Sequence, residues 1–310
     1  MGSLLFLAPE DLGETVLAAG ALAHALGEGD RVTIVSGPEA AALLRAAPGL
    51  AAIYVAAPGT GWPYWLTLAR ARFDLVIDAR GGLFGRAFPF VRRVGLKPAS
   101  LLRHRTEDWA AAMGAERPLA PKLWLDDAAR TTAASLLPEA APLLVLAPGG
   151  VVKAKRWPSE RFAAVARRLV GGPLAGARIF AIGAAPRDSD ITRAIVASLD
   201  ADGVAAAEFG PGLDLLAAAA LMERATLCIG NDNALTHIAA AAGASTLTLF
   251  GPTDERVRAP FGPRTRTLRG RGLAEIAALP ALDTRAAMED VSIDAVEAAA
   301  LDLLHAGGLR

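Results

Sequence analysis

The chain has 310 residues, 53% of them hydrophobic, and its 32 Lys and Arg balance its 32 Asp and Glu. That length suits about two domains, each able to bury its own core, and zero net charge argues against general nucleic-acid binding. A single cysteine, Cys228, rules out a disulfide framework and points to a cytosolic setting.

The chain opens on an apolar segment, Leu4–Ala8, with no basic leader, so no signal peptide is expected. Glu10-Asp11-Leu12-Gly13-Glu14-Thr15 follows and starts a helix over Glu14–Leu26. Acids in a first helical turn usually serve the helix dipole. The place of Glu14 at the carboxyl end of a strand also makes it a candidate general base. Further strands are expected at Arg31–Val35, Ile53–Val55 and Leu75–Asp78.

From Ala79 to Thr106 the charge is one-sided. Arg80, Arg86, Arg92, Arg93, Lys97, Arg103 and Arg105 fall in a window without Asp or Glu. Ordinary surfaces mix both signs, so this window is expected to meet an anionic partner such as phosphate, carboxylate or an anionic membrane. Linker composition at Leu137-Pro138-Glu139-Ala140-Ala141-Pro142 places a domain boundary near residue 140.

The series then repeats with strands at Leu143–Ala147, Arg178–Ile182, Thr226–Ile229 and Thr246–Phe250, and helices at Ser159–Val170, Asp188–Leu199 and Leu213–Arg224. Short apolar strands without strict alternation are those of parallel sheets buried on both faces. Strand and helix in turn give a doubly wound α/β fold, with ligands at the carboxyl ends of the strands. The longest uncharged run, Ala234 to Thr253, splits into a helix and a strand instead of forming a membrane span. Ser292 to His305 reads as a closing amphipathic helix.

Two turns in the second half carry the chemistry. After Leu143–Ala147, Pro148-Gly149-Gly150 admits close backbone approach of a ligand, and Lys153, Lys155 and Arg156 bring three cations ahead of a helix starting near Pro158. After Thr226–Ile229, Gly230-Asn231-Asp232-Asn233 opens a helix carrying Ala234, Leu235, Thr236 and His237. Capping Asp and Asn, orphan N–H groups and the dipole suit such a turn to phosphate. Together the two turns are expected to clamp a pyrophosphate. Asp188-Ser189-Asp190 has the spacing of a metal–diphosphate motif, but a helix cap and a first-turn acid account for it. The four histidines lack metal-ligand spacing.

Lys155-Arg156-Trp157-Pro158 with Phe162-Ala163, then Asn231 to Ala241 and Leu249-Phe250-Gly251-Pro252-Thr253, resemble glycosyltransferase family 9. Gly13-Glu14-Thr15-Val16-Leu17-Ala18 and Phe73 to Arg80 fit the same family in the same order. The resemblance implies a GT-B fold of two Rossmann-like domains facing a cleft. These would be an acceptor domain (1–140), a nucleotide-sugar domain (141–290), and a helix (291–310) packing back across both. It implies inverting, metal-independent transfer without a cofactor, of heptose from ADP-heptose to a lipopolysaccharide-core-type or other anionic acceptor. The alternatives are a GT-B enzyme with a different sugar nucleotide, or a relative that binds sugar nucleotide or a partner without turnover. A cytoplasmic enzyme, with peripheral contact at the cytoplasmic face of the inner membrane, goes with that activity. Glu14 stands where the family has Asp, one methylene longer. The implied catalytic residues are Glu14 and Lys155. Donor contacts fall on Gly149, Gly150, Lys153, Lys155, Arg156, Asp232, Asn233, Ala234, Leu235 and His237, and acceptor contacts on Gly13, Arg80, Arg86, Arg103 and Arg105.

Overall fold

The computed structural model describes residues 1–56, 67–68, 70–81, 91–96, 103–137, 141–210, 212–278 and 286–308. It divides into two compact units: Met1–Asp126 with Arg256–Arg258, and Asp127–Glu255 with Ala259–Arg310. The division falls ahead of the linker expected near residue 140, of which 138–140 lie outside the described residues.

The first unit is built on strands β1 (Ser3–Leu7), β2 (Arg31–Ser36), β3 (Leu50–Val55), β4 (Leu75–Asp78) and β5 (Arg92–Gly95). All pairs are parallel and the order is β3-β2-β1-β4-β5. Helices α1 (Leu12–Ala25), α2 (Pro38–Leu44) and α3 (Arg105–Met113) accompany it. The central strand β1 is apolar throughout, and Leu5 and Leu7 join Val35, Leu68, Phe73 and Val76 in one cluster.

The second unit carries β6 (Leu143–Ala147), β7 (Arg178–Ile182), β8 (Ala206–Phe209), β9 (Leu227–Asn231), β10 (Thr246–Phe250) and β11 (Thr265–Arg269). These run parallel in the order β11-β10-β9-β6-β7-β8. Its helices are α4 (Asp127–Leu136), α5 (Ser159–Val170), α6 (Ser189–Ala201), α7 (Leu215–Glu223), α8 (Ala234–Ala241) and α9 (Ile293–Ala306), with shorter ones between. In each unit the strand order reverses next to its first strand, between β1 and β4 and between β6 and β9. At such a switch point neighbouring loops leave in opposite directions and open a crevice at the carboxyl ends.

The closing helix α9 is capped by Ser292, whose Oγ accepts from Ala295 N at 3.1 Å. Val296, Ala299, Ala300, Leu303 and Leu304 form its apolar stripe, and all belong to the core cluster of the second unit with Trp157 and Phe162. The stripe packs on α5 and on β9, β10 and β11. The helix falls within the second unit, with its apolar face on that unit's own sheet. Among the described residues, no helix is long and apolar enough to cross a membrane.

Candidate donor site at the second switch point

One close approach sets the crevice between β6 and β9, and a second joins the loops that follow β6 and β7. A Cβ on Gly230 would lie 2.6 Å from Thr236 Cγ2 and 2.7 Å from both Ala147 Cβ and Ala147 O. One on Gly149 would lie 2.6–2.8 Å from the Asp188 carboxyl group. Glycine at these positions lets the two strand ends and their loops come together.

Asn231 then ties the loops. Its side chain is fully buried, with Nδ2 donating to Pro148 O at 2.6 Å and Oδ1 accepting from Trp157 N at 3.1 Å. Trp157 is itself an anchor. Its Nε1 donates to Val291 O at 2.8 Å and its ring meets Phe162 edge-on at 5.0 Å. The cationic loop is thereby fixed at its exit, and Lys153–Lys155 forms a short 3₁₀ turn.

Lys155 and Asp232, expected on opposite sides of a pyrophosphate, meet directly. Nζ lies 2.7 Å from Oδ2, and the side chains are 25% and 11% exposed. Thr253 Oγ1 donates to the same Oδ2 at 2.7 Å. Asn233 caps α8: its Oδ1 accepts from Leu235 N at 2.9 Å and Thr236 N at 3.2 Å. Its Nδ2 donates to Ala147 O and Gly149 O. Two orphan donors at this helix start are therefore already satisfied inside the protein. Ala234 is half-buried, while the Leu235 and His237 side chains are buried in the unit.

The glycine loop is held similarly. Gly150 N donates to Asp188 Oδ1 at 3.3 Å, and Arg156 donates to Gly150 O through Nε at 2.8 Å and Nη2 at 2.6 Å. Arg156 also lies 3.8 Å from Asp188. The side-chain helix cap expected of Asp188 is not formed, and its carboxylate ties two loops instead, accepting from Gly150 N and Ala185 N. Lys153, exposed, and Arg156 line a cleft of about 390 Å³ with Trp157, Pro158, Ser159 and Glu160.

In the first unit, Asp11 caps α1 by accepting from Glu14 N at 2.9 Å, with Gly13 buried in the same turn. Glu14 is ion-paired: Arg105 Nε lies 3.2 Å from Oε2 and Arg258 Nε 3.1 Å from Oε1. Arg105 and Arg103 also approach Asp108, at 3.6 and 3.7 Å. Arg80 Nε donates to Ala8 O at 2.9 Å. The acid-free window thus acquires acidic partners from outside its own limits, and Arg92 and Arg93 sit on edge strand β5. Arg86 and Lys97 lie outside the described residues.

Asn231, Thr253, Trp157 and Asp188 carry much of this geometry without having been assigned a functional role from the sequence. The available signal was their place in the matched motifs and, for Asp188, beside a strand end. Among the described residues there is no cluster of three or more His, Cys, Asp or Glu able to hold a metal ion.

The profile of glycosyltransferase family 9 (heptosyltransferase) matches residues 104–279, more than half of the chain. No curated protein matches the sequence. Among the similar solved structures, three cover nearly the whole chain as follows. E. coli ADP-heptose LPS heptosyltransferase II has a TM-score of 0.78 at 17% identity, covering 98% of this chain and 99% of its own. A family 9 glycosyltransferase from Veillonella parvula DSM 2008 has a TM-score of 0.78 at 18% identity, covering 98% and 97%. E. coli heptosyltransferase WaaC with ADP has a TM-score of 0.72 at 17% identity, covering 97% and 99%. At these identities the structural likeness is one of fold.

Proposed function

The chain belongs to glycosyltransferase family 9, the heptosyltransferases, and we propose that it transfers heptose from ADP-heptose to an anionic acceptor of lipopolysaccharide-core type with inversion and without a metal. It is a glycosyltransferase of the GT-B type by family and fold. The observation that carries the donor assignment is the Lys155–Asp232 pair at the β6/β9 switch point, where α/β sheets hold nucleotides. The solved WaaC structure with ADP supports a nucleoside-diphosphate donor.

In this proposal Lys155 turns from Asp232 to the donor diphosphate and stabilises the charge that builds as the sugar–phosphate bond breaks. Lys153 and Arg156 add positive potential from the rim of their cleft. Asp232 and the turn through His237 hold the sugar and pyrophosphate. Glu14 takes the proton of the acceptor hydroxyl, while Gly13, Arg80, Arg86, Arg103 and Arg105 receive the acceptor's anionic groups. The setting is the cytoplasm, with peripheral contact at the inner membrane.

A second reading is favoured by the double ion pairing of Glu14. A carboxylate engaged by two guanidinium groups serves as a strut, and the protein then binds a sugar nucleotide without turning it over. The test is ADP release and product analysis from labelled ADP-heptose in excess EDTA, with heptose-deficient lipopolysaccharide core as acceptor. Turnover that Glu14→Gln abolishes supports the leading reading. Tight donor binding without transfer supports the second, and transfer from another sugar nucleotide alone would replace the donor.

A further inference from the structure

We propose that Thr253 is a positioning residue that holds Asp232 in place so that Lys155 is released to an incoming diphosphate. This rests on the donor assignment above and adds a residue to it. Among the described residues, Lys155 Nζ and Thr253 Oγ1 contact the Asp232 carboxylate, both on Oδ2 and both at 2.7 Å. They differ in what they can do next. Lysine is a point charge on a flexible four-carbon stem, whereas threonine is short and stiff at χ1.

The backbone under Thr253 is also fixed. Arg269, at the end of β11, donates through Nη2 to Thr253 O at 2.6 Å and through Nη1 to Gly251 O at 3.4 Å, and its guanidinium pairs with Glu255. At Gly251 a Cβ would lie 2.7 Å from Met288 Sδ, so the loop sits tightly on that side chain. Thr253 thus presents its hydroxyl from a rigid support, while Lys155 is the partner able to leave.

A diphosphate competes with Asp232 for Lys155. When it wins, a carboxylate only 11% exposed loses its counter-charge, and a partly buried charge without a partner is strongly disfavoured. The Thr253 hydroxyl keeps one charge-assisted hydrogen bond on Asp232, leaving Oδ1 free of both contacts. Without that hydroxyl, Asp232 holds Lys155 more tightly and the diphosphate binds less well.

The experiment is calorimetric titration of ADP, in EDTA, into the wild type, Thr253→Val, Thr253→Ser, Asp232→Asn and the double variant Asp232→Asn/Thr253→Val, with thermal midpoints for each. Thr253→Val, nearly isosteric at a half-buried position, should weaken ADP by roughly tenfold, the scale of one hydrogen bond to a charged group. Thr253→Ser should restore affinity to within about threefold of wild type, since it keeps the hydroxyl. In the Asp232→Asn background, Thr253→Val should have no further effect, because coupled residues are non-additive. Equal affinity for Thr253→Val and wild type would overturn the inference alone, as would failure of Thr253→Ser to rescue or full additivity with Asp232→Asn. Absence of ADP binding by the wild type would overturn the donor assignment and this inference with it.

Discussion

Asn231, Lys155, Asp232 and Thr253 interlock in the candidate site, and each supplies what the next lacks. An amide holds two loops, a carboxylate is balanced by an ammonium, and a hydroxyl steadies the carboxylate. Gly230 makes room for this arrangement. Gly230→Ala forces a methyl to within 2.7 Å of Ala147 and Thr236 atoms, an overpacking that costs about 1–3 kcal/mol. Thermal denaturation should show the lowered midpoint, and ADP binding should weaken as β6 and β9 separate. Cys228 offers a different probe. Complete burial pushes its thiol up to about 12, so the folded state keeps it protonated and shielded. Thiol reagents at neutral pH should label it only after denaturant is added. Stability from the neutral thiol is fully present below the ordinary value of 9.0 and is lost as pH rises toward about 12. Cys228→Ala should flatten that alkaline part of the stability profile.

At the scale of elements, the sequence revealed the apolar strands, edge strand β3 among them, and concealed the charged strands toward the other edges. β1, β6, β9 and β10 are short apolar runs covered on both faces, and their composition alone marks them. β5, β8 and β11 lie beyond them toward the sheet edges and contain Arg92 and Arg93, Glu208, and Arg266 and Arg269. Edge strands tolerate charge because one side is unpaired, which erases the apolar signal. For the same reason the basic window was legible as charge but not as a strand followed by a helix. The two turns of the site were legible from Gly, Asn, Asp and Lys at strand ends. The direct meeting of Lys155 and Asp232 was not, because side-chain pairing across 77 residues leaves no local pattern. Packing of α9 on α5 is another such pairing. Arg168 lies 2.7 Å from Asp294 and 2.8 Å from Glu297, and these hydrogen bonds raise its affinity for protons further. The group is exposed, so Arg168→Ala should shift the midpoint little. Trp157→Ala removes a buried anchor and its bond to Val291 and should cost about 3–5 kcal/mol, read from denaturant unfolding.

At the scale of the molecule, two parallel sheets each carry a switch point, and the second holds a preformed set of cationic and anionic groups. In the proposed function this second crevice is the diphosphate site and Lys155 its principal cation. A ligand that binds only the folded state raises stability by roughly 2.7 kcal/mol at a hundredfold excess over its dissociation constant, so binding is visible in the thermal midpoint. The measurement is that midpoint for the wild type and Lys155→Ala against ADP, ADP-heptose, UDP and GDP, all in EDTA. A selective rise with ADP and ADP-heptose is expected in the wild type, and its near-complete loss in Lys155→Ala. An undiminished rise in Lys155→Ala, or no rise with any nucleotide in the wild type, would contradict that assignment.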